Sequence, residues 1–393
     1  MGSLVGCARG RTLSFLLGRN MHGMAAMGKV RRAIGLMSGT SLDGIDIALI
    51  ETDGEAHVRV LGAASVVYSD DFRARLRQAL ADAPAIVARG DRPGCLTDVE
   101  REVTLRQGAA VLRFMGDRSL QPSAIDVIGF HGQTVLHRPD VGLTVQLGDG
   151  SRLAQTTGVD VVHDLRAADC ADGGQGAPLV PVYHRALASR LRERPVAFVN
   201  IGGVANVTWV GPDGSLLAFD TGPGNALLDD WMLRHTGVAR DDDGKLAASG
   251  SVHEPSLHYY LSLPHFAKLP PKSLDRNAFP PEVVAELSPA DGAATLTAFT
   301  AESIAKAREH FPEQPALWII SGGGRRNRTL MSAIAARVEN AVVPAEALHF
   351  DGDNMEAEAW AYLAVRSLEG LPLTYPGTTG VEKATTGGVL ARA

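Results

Sequence analysis

Three polar loops rich in glycine each follow an apolar segment of the chain. Their sequences are SGTSLDG at 38–44, NIGG at 200–203 and SGGG at 321–324. Glycine tolerates positive φ and lets the backbone approach a ligand closely, so successive N–H groups can converge on an anion. The third loop also precedes a helix-like stretch, 328–340, whose first N–H groups could face a phosphate or an adenosine. Together the three loops predict a nucleotide-binding cleft.

Taken alone, the first loop also fits an ordinary hairpin connection. It lacks the Gly-Lys-Ser/Thr ending of a P-loop, and a strand follows it where a dinucleotide fingerprint would have a helix. Thr40 and Ser41 add hydroxyl donors to the loop. Asp43 and Asp46 are placed to hold Mg²⁺ beside a phosphate, directly or through water.

Asp220 ends a predicted strand and is followed by the turn TGPGN at 221–225. A carboxylate held at the edge of a cleft suits a general base, a role worth roughly 10²- to 10⁴-fold in rate. The competing interpretation is that Asp220 caps the helix that begins near Ala226. Thr221 or Asn225 could serve as that cap equally well, so we favour the catalytic role.

Other polar groups could line the same cleft. The sequence HGQT at 131–134 ends an apolar strand and could face a sugar, although a lone histidine there is more often structural. Arg166 and Asp169 precede the glycine-rich segment GGQGAP at 173–178, which fits a site wall and a solvated loop equally well. Glu356 lies on an otherwise apolar helix, where it could point into a site or simply favour the helix N-terminus.

The elements that must position these groups repeat along the chain. An apolar strand, a polar glycine loop and a second strand occur at 33–50 and again at 196–210. The spacing is too long for a solenoid repeat and is typical of a duplicated domain in which each half opens with a hairpin. Residues 71–116 show helical spacing. A ligand between the two hairpin loops would be held from both sides.

Composition limits the other possibilities. The chain has 393 residues, which at roughly 100–200 residues per domain favours two domains. Lys and Arg total 38 and Asp and Glu total 44, a net charge of −6 that argues against nucleic-acid binding. No apolar run approaches the roughly 18 residues of a membrane span. The three cysteines lack paired spacing, which favours a reducing compartment and a cytoplasmic location.

Eight motifs, taken together, resemble the anhydro-N-acetylmuramic acid kinase family. They occur in the family's order and cover residues 30–393. The motifs are GLMSGTSLDGID at 35–46, FHGQT at 130–134, TVQLGDG at 144–150, GGQGAPLVP at 173–181, NIGGVAN at 200–206, FDTGPGN at 219–225, SGGGRRN at 321–327 and NMEAEAWA at 354–361. The resemblance implies an α/β fold of the actin/hexokinase/Hsp70 type, with two RNase H-like domains around a nucleotide cleft.

The resemblance and the loops together give the expected site. Asp220 is the expected catalytic residue, and Asp43 is expected to hold Mg²⁺ through water. The expected ATP contacts are Gly39, Thr40, Ser41, Asp43, Gly44, Asp46, Asn200, Gly202, Gly203, Gly322, Gly323, Gly324 and Asn327. The expected sugar contacts are His131, Gln133, Thr134, Arg166, Asp169, Gly222, Asn225 and Glu356.

The implied reaction uses ATP and Mg²⁺ to open the 1,6-anhydro bond of 1,6-anhydro-N-acetylmuramic acid and to phosphorylate O6. Two alternatives stay open: another small-molecule kinase of the same fold, and a non-catalytic nucleotide-dependent assembly protein. We expect domain I to comprise 29–150 and a C-terminal segment from about 360 to 393, and domain II to comprise 151–359. Residues 1–28 are expected to be a disordered extension, a mis-assigned start or a targeting segment. The expected partners are the sugar and ATP, with a homodimer as a weaker expectation.

Overall fold

The computed structural model describes residues 28–39 and 41–393. The prediction for the N-terminal extension, apart from Gly28, and the predicted ATP contact of Thr40 therefore lie outside the described residues. The strands are β1 Arg31–Met37, β2 Gly44–Thr52, β3 Val58–Val67, β4 Val127–Phe130, β5 Gln133–Arg138, β6 Leu143–Leu147, β7 Val161–His163, β8 Val196–Ile201, β9 Val204–Val210, β10 Leu216–Pro223, β11 Leu317–Ser321, β12 Ala341–Pro344 and β13 Val389–Ala391.

Helices connect and cover these strands. They are α1 Asp70–Asp82, α2 Leu96–Gly116, α3 Gly150–Thr157, α4 Ala167–Ala171, α5 Pro181–Ala188, α6 Ala226–Thr236, α7 Lys245–Ser249, α8 Glu254–Leu261, α9 Pro289–Lys306, α10 Arg328–Val338, α11 Met355–Leu368 and α12 Pro376–Thr379. Within the described part of the chain, no helix has both the length and the apolar character needed to cross a membrane.

The two main sheets share one strand order. In the first sheet β1, β2 and β3 form an antiparallel meander, β4 lies parallel to β1, and β7 lies parallel to β4. In the second sheet β8, β9 and β10 form the meander, β11 lies parallel to β8, and β12 lies parallel to β11. This order is that of an RNase H-like domain, so the predicted duplication into two such halves is confirmed. The strand β13 extends the first sheet beyond β7.

Helix α11 packs against the first sheet at unusually close range. A Cβ atom added at Gly35 of β1 would lie 1.8 Å from the carbonyl oxygen of Ala357, and one at Gly129 of β4 would lie 2.1 Å from that of Trp360. Only glycine permits such an approach of strand and helix backbones. The core around α11 is continuous with apolar side chains of both sheets, including Ile50 and Phe198. Helix α11 therefore joins the two lobes.

The structure corrects three predictions of organisation. The boundary after residue 150 is too early, because β7 pairs with β4 in the first sheet. The boundary near 360 cuts through α11, which is one continuous helix from Met355. The helix-like stretch 71–116 is two helices, α1 and α2, separated by a segment that contains Pro84 and Pro93, because proline interrupts the hydrogen-bonding of a helix.

Candidate active site

A cavity of about 610 Å³ lies between the two lobes, where the glycine loops converge. The first lobe contributes the loop after β1 and the adjoining ends of β2 and β3, and the second contributes the loops after β8 and β11. The segment that leads into α11 closes one side. Of the predicted ATP contacts, the walls include Asp43, Gly44, Asp46, Asn200, Gly202, Gly322 and Gly323. The sequence prediction that the three loops meet at one cleft is therefore confirmed as geometry.

One row of residues crosses the second sheet at the level of this cavity. Ser321 of β11 pairs with Asn200 of β8, Asn200 pairs with Asn206 of β9, and Asn206 pairs with Asp220 of β10. Side chains of directly opposed residues point to the same face of a sheet. The register therefore places four polar side chains side by side, with Asp220 at one end.

Asp220 lines a second cavity, of about 170 Å³, that adjoins the first. The two cavities share four wall residues, namely Pro178, Val180, Asn206 and Glu356. Arg166 and Lys272 also line the smaller cavity. A ligand in the smaller cavity would therefore lie next to one in the larger, with Asp220 beside it.

The backbone around Asp220 fixes the direction of its carboxylate. The ladder between β9 and β10 shifts register between Asp220 and Gly222, a bulge of the kind that re-aims a side chain. A Cβ atom at Gly222 would lie 2.4 Å from that of Ser303, so the bulge packs tightly against α9. The N–H of Leu274 donates to Asp220 Oδ2 at 2.8 Å. Gly222, a predicted sugar contact, thus shapes the strand beneath the site.

Burial raises the pKa of Asp220 to about 7, and the hydrogen bond from the Leu274 N–H opposes this rise. A carboxylate with a pKa near neutrality exists in both protonation states at physiological pH. It can accept a proton and release it again, which is the property required of a general base. Asp220 therefore has a position and a proton affinity that suit a general base, and its catalytic role stays a prediction.

Glu356 and Arg166 also line the smaller cavity. Burial raises the pKa of Glu356, and the positive charge of Arg166 opposes this rise. Glu356 Oε1 accepts a hydrogen bond from Asn200 Nδ2 at 3.4 Å. The guanidinium of Arg166 lies 5.0 Å from the ring centre of Trp360 and donates to the carbonyl of Gly176 at 2.9 Å. Both charges are thereby held in place at the cavity wall.

Acidic side chains gather on the first-lobe side of the larger cavity. Burial raises the pKa of Asp46, the hydroxyl of Ser65 opposes this rise, and the nearby Asp43, Asp353 and Asp351 add to it. A cation would relieve the mutual repulsion of these groups. Oxygen ligands from one or two carboxylates, completed by phosphate and water, are what Mg²⁺ takes in phosphate sites. Among the described residues no group of three or more such ligands occurs, and Asp353 is paired with Arg325 and Arg326. Asp43 and Asp46 are therefore the two carboxylates at the cavity that fit a magnesium ion completed by phosphate and water.

Several predicted sugar contacts lie outside the walls of both cavities and instead hold neighbouring loops. Gln133 accepts a hydrogen bond from Ser38 Oγ and donates to the carbonyl of Gly39. His131 accepts a hydrogen bond from Arg166, and its ring packs on Trp360. Thr134 lies beside His131, at 3.4 Å from its Nε2. These residues fix the first glycine loop and Arg166, and their contact with a sugar stays a prediction.

Asp169 has a similar supporting position. Its carboxylate accepts hydrogen bonds from the Gly176 N–H and the Thr379 hydroxyl, both at 2.6 Å. These bonds join the segment 174–176 to the C-terminal segment. The side chain is 2% exposed and serves the loop, whereas the neighbouring Arg166 reaches the cavity.

The remaining predicted ATP contacts among the described residues, and the predicted sugar contact Asn225, do not line either cavity. Asn327 accepts from the N–H of Leu330 and caps α10, and Asn225 donates to the carbonyl of Ile201. Gly324 packs on Ile201, where a Cβ atom would lie 2.3 Å from Ile201 Cγ2. Three further predicted ATP contacts belong to the loops without lining the larger cavity: Gly39, Ser41 and Gly203.

Sequence reasoning missed several residues that line the cavities. Asn206 belongs to a motif that was recognised, and alternation along β9 could have placed it on the same face as Asn200. Lys272 and Ser273 lie in a loop without periodic pattern, far in sequence from Asp220. Arg326 and Asp353, which form an ion pair at the larger cavity, come together only through the fold.

Two RNase H-like lobes, a polar cleft between them and a carboxylate beside that cleft define a kinase of the actin/hexokinase/Hsp70 fold class. The chain belongs to the anhydro-N-acetylmuramic acid kinase family, because the profile described as "Anhydro-N-acetylmuramic acid kinase" matches residues 31–393. It is 53% identical over 372 residues to a protein of that name from Brucella canis, covering 93% of this chain and 100% of the relative. A relative of the same name from Agrobacterium fabrum is 52% identical over 373 residues, covering 93% of this chain and all of the relative.

Solved structures are similar at lower identity. The activator of 2-hydroxyisocaproyl-CoA dehydratase from Clostridium difficile, with bound ADPNP, is 12% identical with a TM-score of 0.43, covering 86% of this chain and 96% of that chain. A ROK family glucokinase from Streptomyces griseus, in complex with glucose and AMPPNP, is 13% identical with a TM-score of 0.40, covering 85% of this chain and 99% of that chain.

Proposed function

We propose that this protein is an ATP-dependent kinase that acts on 1,6-anhydro-N-acetylmuramic acid, as the names of its relatives indicate for them. The products are N-acetylmuramic acid 6-phosphate and ADP, and the reaction serves the recycling of cell-wall sugars in the cytoplasm. The observation that carries the proposal is that Asp220 lies in a small cavity that shares Asn206 and Glu356 with the larger cleft. The triphosphate occupies the larger cavity and the sugar the smaller one.

The bridged sugar explains why a base is needed. Its O6 is bonded to C1, so it carries no hydroxyl proton that a base could remove. Asp220 instead takes a proton from a water molecule whose oxygen bonds to C1. The C1–O6 bond breaks, O6 keeps the electron pair, and O6 then bonds to the γ-phosphorus while ADP leaves. The proton on Asp220 is released to solvent after turnover.

The other groups at the site position and neutralise charge. Backbone N–H groups of the loops at 200–203 and 321–324 face the phosphates, and Asp46 with Asp43 holds Mg²⁺. When bound, the metal neutralises charge on the phosphate oxygens, which is the main requirement of phosphoryl transfer. Arg166 and Glu356, which line the smaller cavity together with Asp220, orient the sugar. Holding the reacting groups in line accounts for a large share of the rate.

Mass spectrometry of the product formed in ¹⁸O-water tests this proposal. We expect one ¹⁸O atom in the sugar at C1 and none in its phosphate. In the control, unlabelled product is incubated with enzyme and ADP in the same ¹⁸O-water. The label that it takes up measures exchange of the anomeric oxygen with solvent. Label in inorganic phosphate, without a labelled sugar phosphate, would identify an ATPase and contradict the proposal.

A panel of acceptors separates the proposed function from that of an ordinary sugar kinase. We expect ADP release to be stimulated by the 1,6-anhydro sugar and not by N-acetylglucosamine or glucose, whose 6-hydroxyls are free. Stimulation by the free sugars alone would favour the ordinary kinase. Nucleotide binding without stimulation by any sugar would favour an assembly protein.

A further inference from the structure

Lys272 is buried beside β10, the strand that carries Asp220, but its ammonium group does not contact the Asp220 carboxylate. Its side chain is 9% exposed. Its Nζ donates to the carbonyl of His265 at 3.3 Å, lies 3.4 Å from His310 Nε2, and is 5.5 Å from the ring centre of Phe219. Burial lowers the pKa of Lys272, and the negative charge of Glu309 opposes this.

Three hydrogen bonds join Lys272, His265 and Asp220 into a closed ring. The N–H of Asp220 donates to the carbonyl of Lys272 at 2.9 Å. Lys272 Nζ donates to the carbonyl of His265, and His265 Nε2 donates to the carbonyl of Asp220 at 2.9 Å. Because a carbonyl only accepts, the neutral ring of His265 must carry its proton on Nε2.

Lys272, a member of this ring, lies two residues before Leu274, whose N–H orients the Asp220 carboxylate. The Lys272 carbonyl holds the segment 272–274 against β10, and the N–H of Leu274 in this segment donates to Asp220 Oδ2 at 2.8 Å. A displacement of the segment would therefore move the hydrogen bond that aims the base.

Stability alone does not explain a lysine at this place. Burying an ammonium group costs free energy, and a carbonyl and an imidazole compensate it less well than a carboxylate would. An apolar side chain of similar length would avoid this cost. The ammonium group is however the only part of the Lys272 side chain that can donate to the His265 carbonyl, which also accepts from the N–H of Lys268, and so close the ring.

We infer that Lys272 and His265 are positioning residues that hold the segment 272–274 and thereby the direction of the Asp220 carboxylate. The inference rests on the proposed role of Asp220 as the base. Neither residue lines the larger cavity, so we expect ATP binding to stay nearly unchanged. Lys272 also lines the smaller cavity, whereas His265 lines neither, so the His265 variants separate positioning from contact with the sugar.

Lys272→Met tests the inference, with Lys268→Met as the matched control. The control removes the same charge from an exposed position four residues earlier. For Lys272→Met we expect kcat to fall about 10- to 100-fold, the range of a small misplacement of a reacting group. We expect KM for ATP to change less than about threefold. Activity is expressed per ADP-binding site, measured by calorimetry, so that unfolded protein does not count. A kcat equal to that of Lys268→Met would overturn the inference.

A second pair of variants decides the matter even where Lys272→Met fails to fold. His265→Gln places an amide N–H where Nε2–H stood, whereas His265→Phe fills the space without a donor. We expect His265→Gln to keep kcat within about threefold of the unaltered protein, and His265→Phe to lose about tenfold or more. Equal losses in both variants would contradict a role for the hydrogen bond.

Failure of this inference is distinguishable from failure of the proposed function. If Asp220→Asn keeps turnover, the base assignment is wrong whatever the lysine variants do. If Asp220→Asn is inactive while Lys272→Met and His265→Phe turn over normally, the base stands and the ring is without functional effect.

Discussion

Asn206 and Asp220 are direct partners in the ladder between β9 and β10, and Asn206 also pairs with Asn200 across β8. Neighbouring strands lie about 4.8 Å apart, so the row from Asn200 to Asp220 spans about 10 Å. Asn206 at its centre lines both the larger and the smaller cavity. The register of one sheet thus sets the separation between the phosphate loops and the proposed base.

Asn206→Ala tests whether this central side chain contacts the reacting groups. A hydrogen bond to a charged group contributes about 1.5–3 kcal/mol, so we expect kcat/KM to fall roughly 10- to 150-fold. Asn340→Ala, at an exposed position after α10, is the control and should keep full activity. Steady-state kinetics with both substrates varied measures the effect. Unchanged kcat/KM for Asn206→Ala would leave the shared wall without a catalytic contribution.

Asp220→Asn removes the proposed base and little else. The amide fills the same space, so we expect ADP binding to be retained and turnover to fall roughly 10²- to 10⁴-fold. Asp229→Asn is the matched control, because burial also raises the pKa of Asp229, to about 6, and Asp229 lines neither cavity described above. Calorimetry with ADP and a coupled assay of ADP release measure the two properties. Near-normal turnover in Asp220→Asn would show that Asp220 is not the base.

The pH dependence of kcat/KM should report the pKa of Asp220. The base must be deprotonated, so activity should rise with pH through about 7, where burial places the pKa of Asp220. Burial raises the pKa of Glu358 to about 7 as well, but Glu358 accepts from the Tyr183 hydroxyl and lines neither of the two cavities. The acid limb should therefore persist in Glu358→Gln. Its absence in that variant would assign the limb to Glu358.

The same raised pKa has a consequence for stability. The folded state favours the protonated carboxyl of Asp220, so this group's contribution is full below the unfolded pKa and is lost as pH rises through about 7. Asp220→Asn cannot lose it. We expect the Tm of Asp220→Asn minus that of the unaltered protein to increase from pH 5 to pH 9. A difference independent of pH would show that Asp220 titrates normally in the fold.

Local patterns in the sequence were sufficient for the hairpins and the glycine loops. The alternation at 33–50 and 196–210 reflects pairing within a hairpin, and both hairpins occur as predicted. The position of Asp220 at the cleft could also be predicted, because it stands where a strand meets a glycine turn, whereas its role as the base stays a prediction. The helix prediction for 71–116 was confirmed for 71–82 and 96–116 and missed the break between them, which contains Pro84 and Pro93.

Contacts between distant segments could not be predicted in the same way. The strand β7 joins the first sheet although it follows the expected boundary. Its pairing with β4 is a long-range contact that no local sequence pattern indicates. Gln133 and Asp169 were expected at the sugar because polar residues beside glycines suggest a site. Their hydrogen bonds to Gly39 and Gly176 depend on loops that meet only in the folded chain.

Asp46→Asn tests the proposed magnesium site without removing the loop. The substitution removes one negative charge from the site, so the protein should attract the nucleotide-bound Mg²⁺ less strongly. We expect the Mg²⁺ concentration for half-maximal activity to rise about tenfold, equivalent to about 1.4 kcal/mol of binding free energy. Glu51→Gln, on the same strand but paired with Arg32 and Arg59 outside the larger cavity, should leave the Mg²⁺ requirement unchanged. Equal Mg²⁺ requirements in Asp46→Asn and Glu51→Gln would show that Asp46 does not contribute to the metal site.

Gly35→Ala tests the close contact that joins the first sheet to α11. The added methyl group would lie 1.8 Å from the Ala357 carbonyl oxygen, so the helix must move away. We expect the free energy of unfolding to fall by about 3 kcal/mol, the upper end of ordinary overpacking penalties. Urea denaturation measures this, with Gly90→Ala as the control, since no atom lies within 4 Å of a Cβ at Gly90.

The same substitution should also affect the site, because Glu356 lies in the first turn of α11, next to Ala357. Any shift of the helix away from β1 moves Glu356 relative to Asn200, its hydrogen-bond partner on the other lobe. We therefore expect a higher KM for the sugar in the folded fraction of Gly35→Ala, whereas Gly90→Ala keeps the original value. An unchanged KM together with the loss of stability would show that the first turn of α11 stays in place when the rest of the helix is displaced.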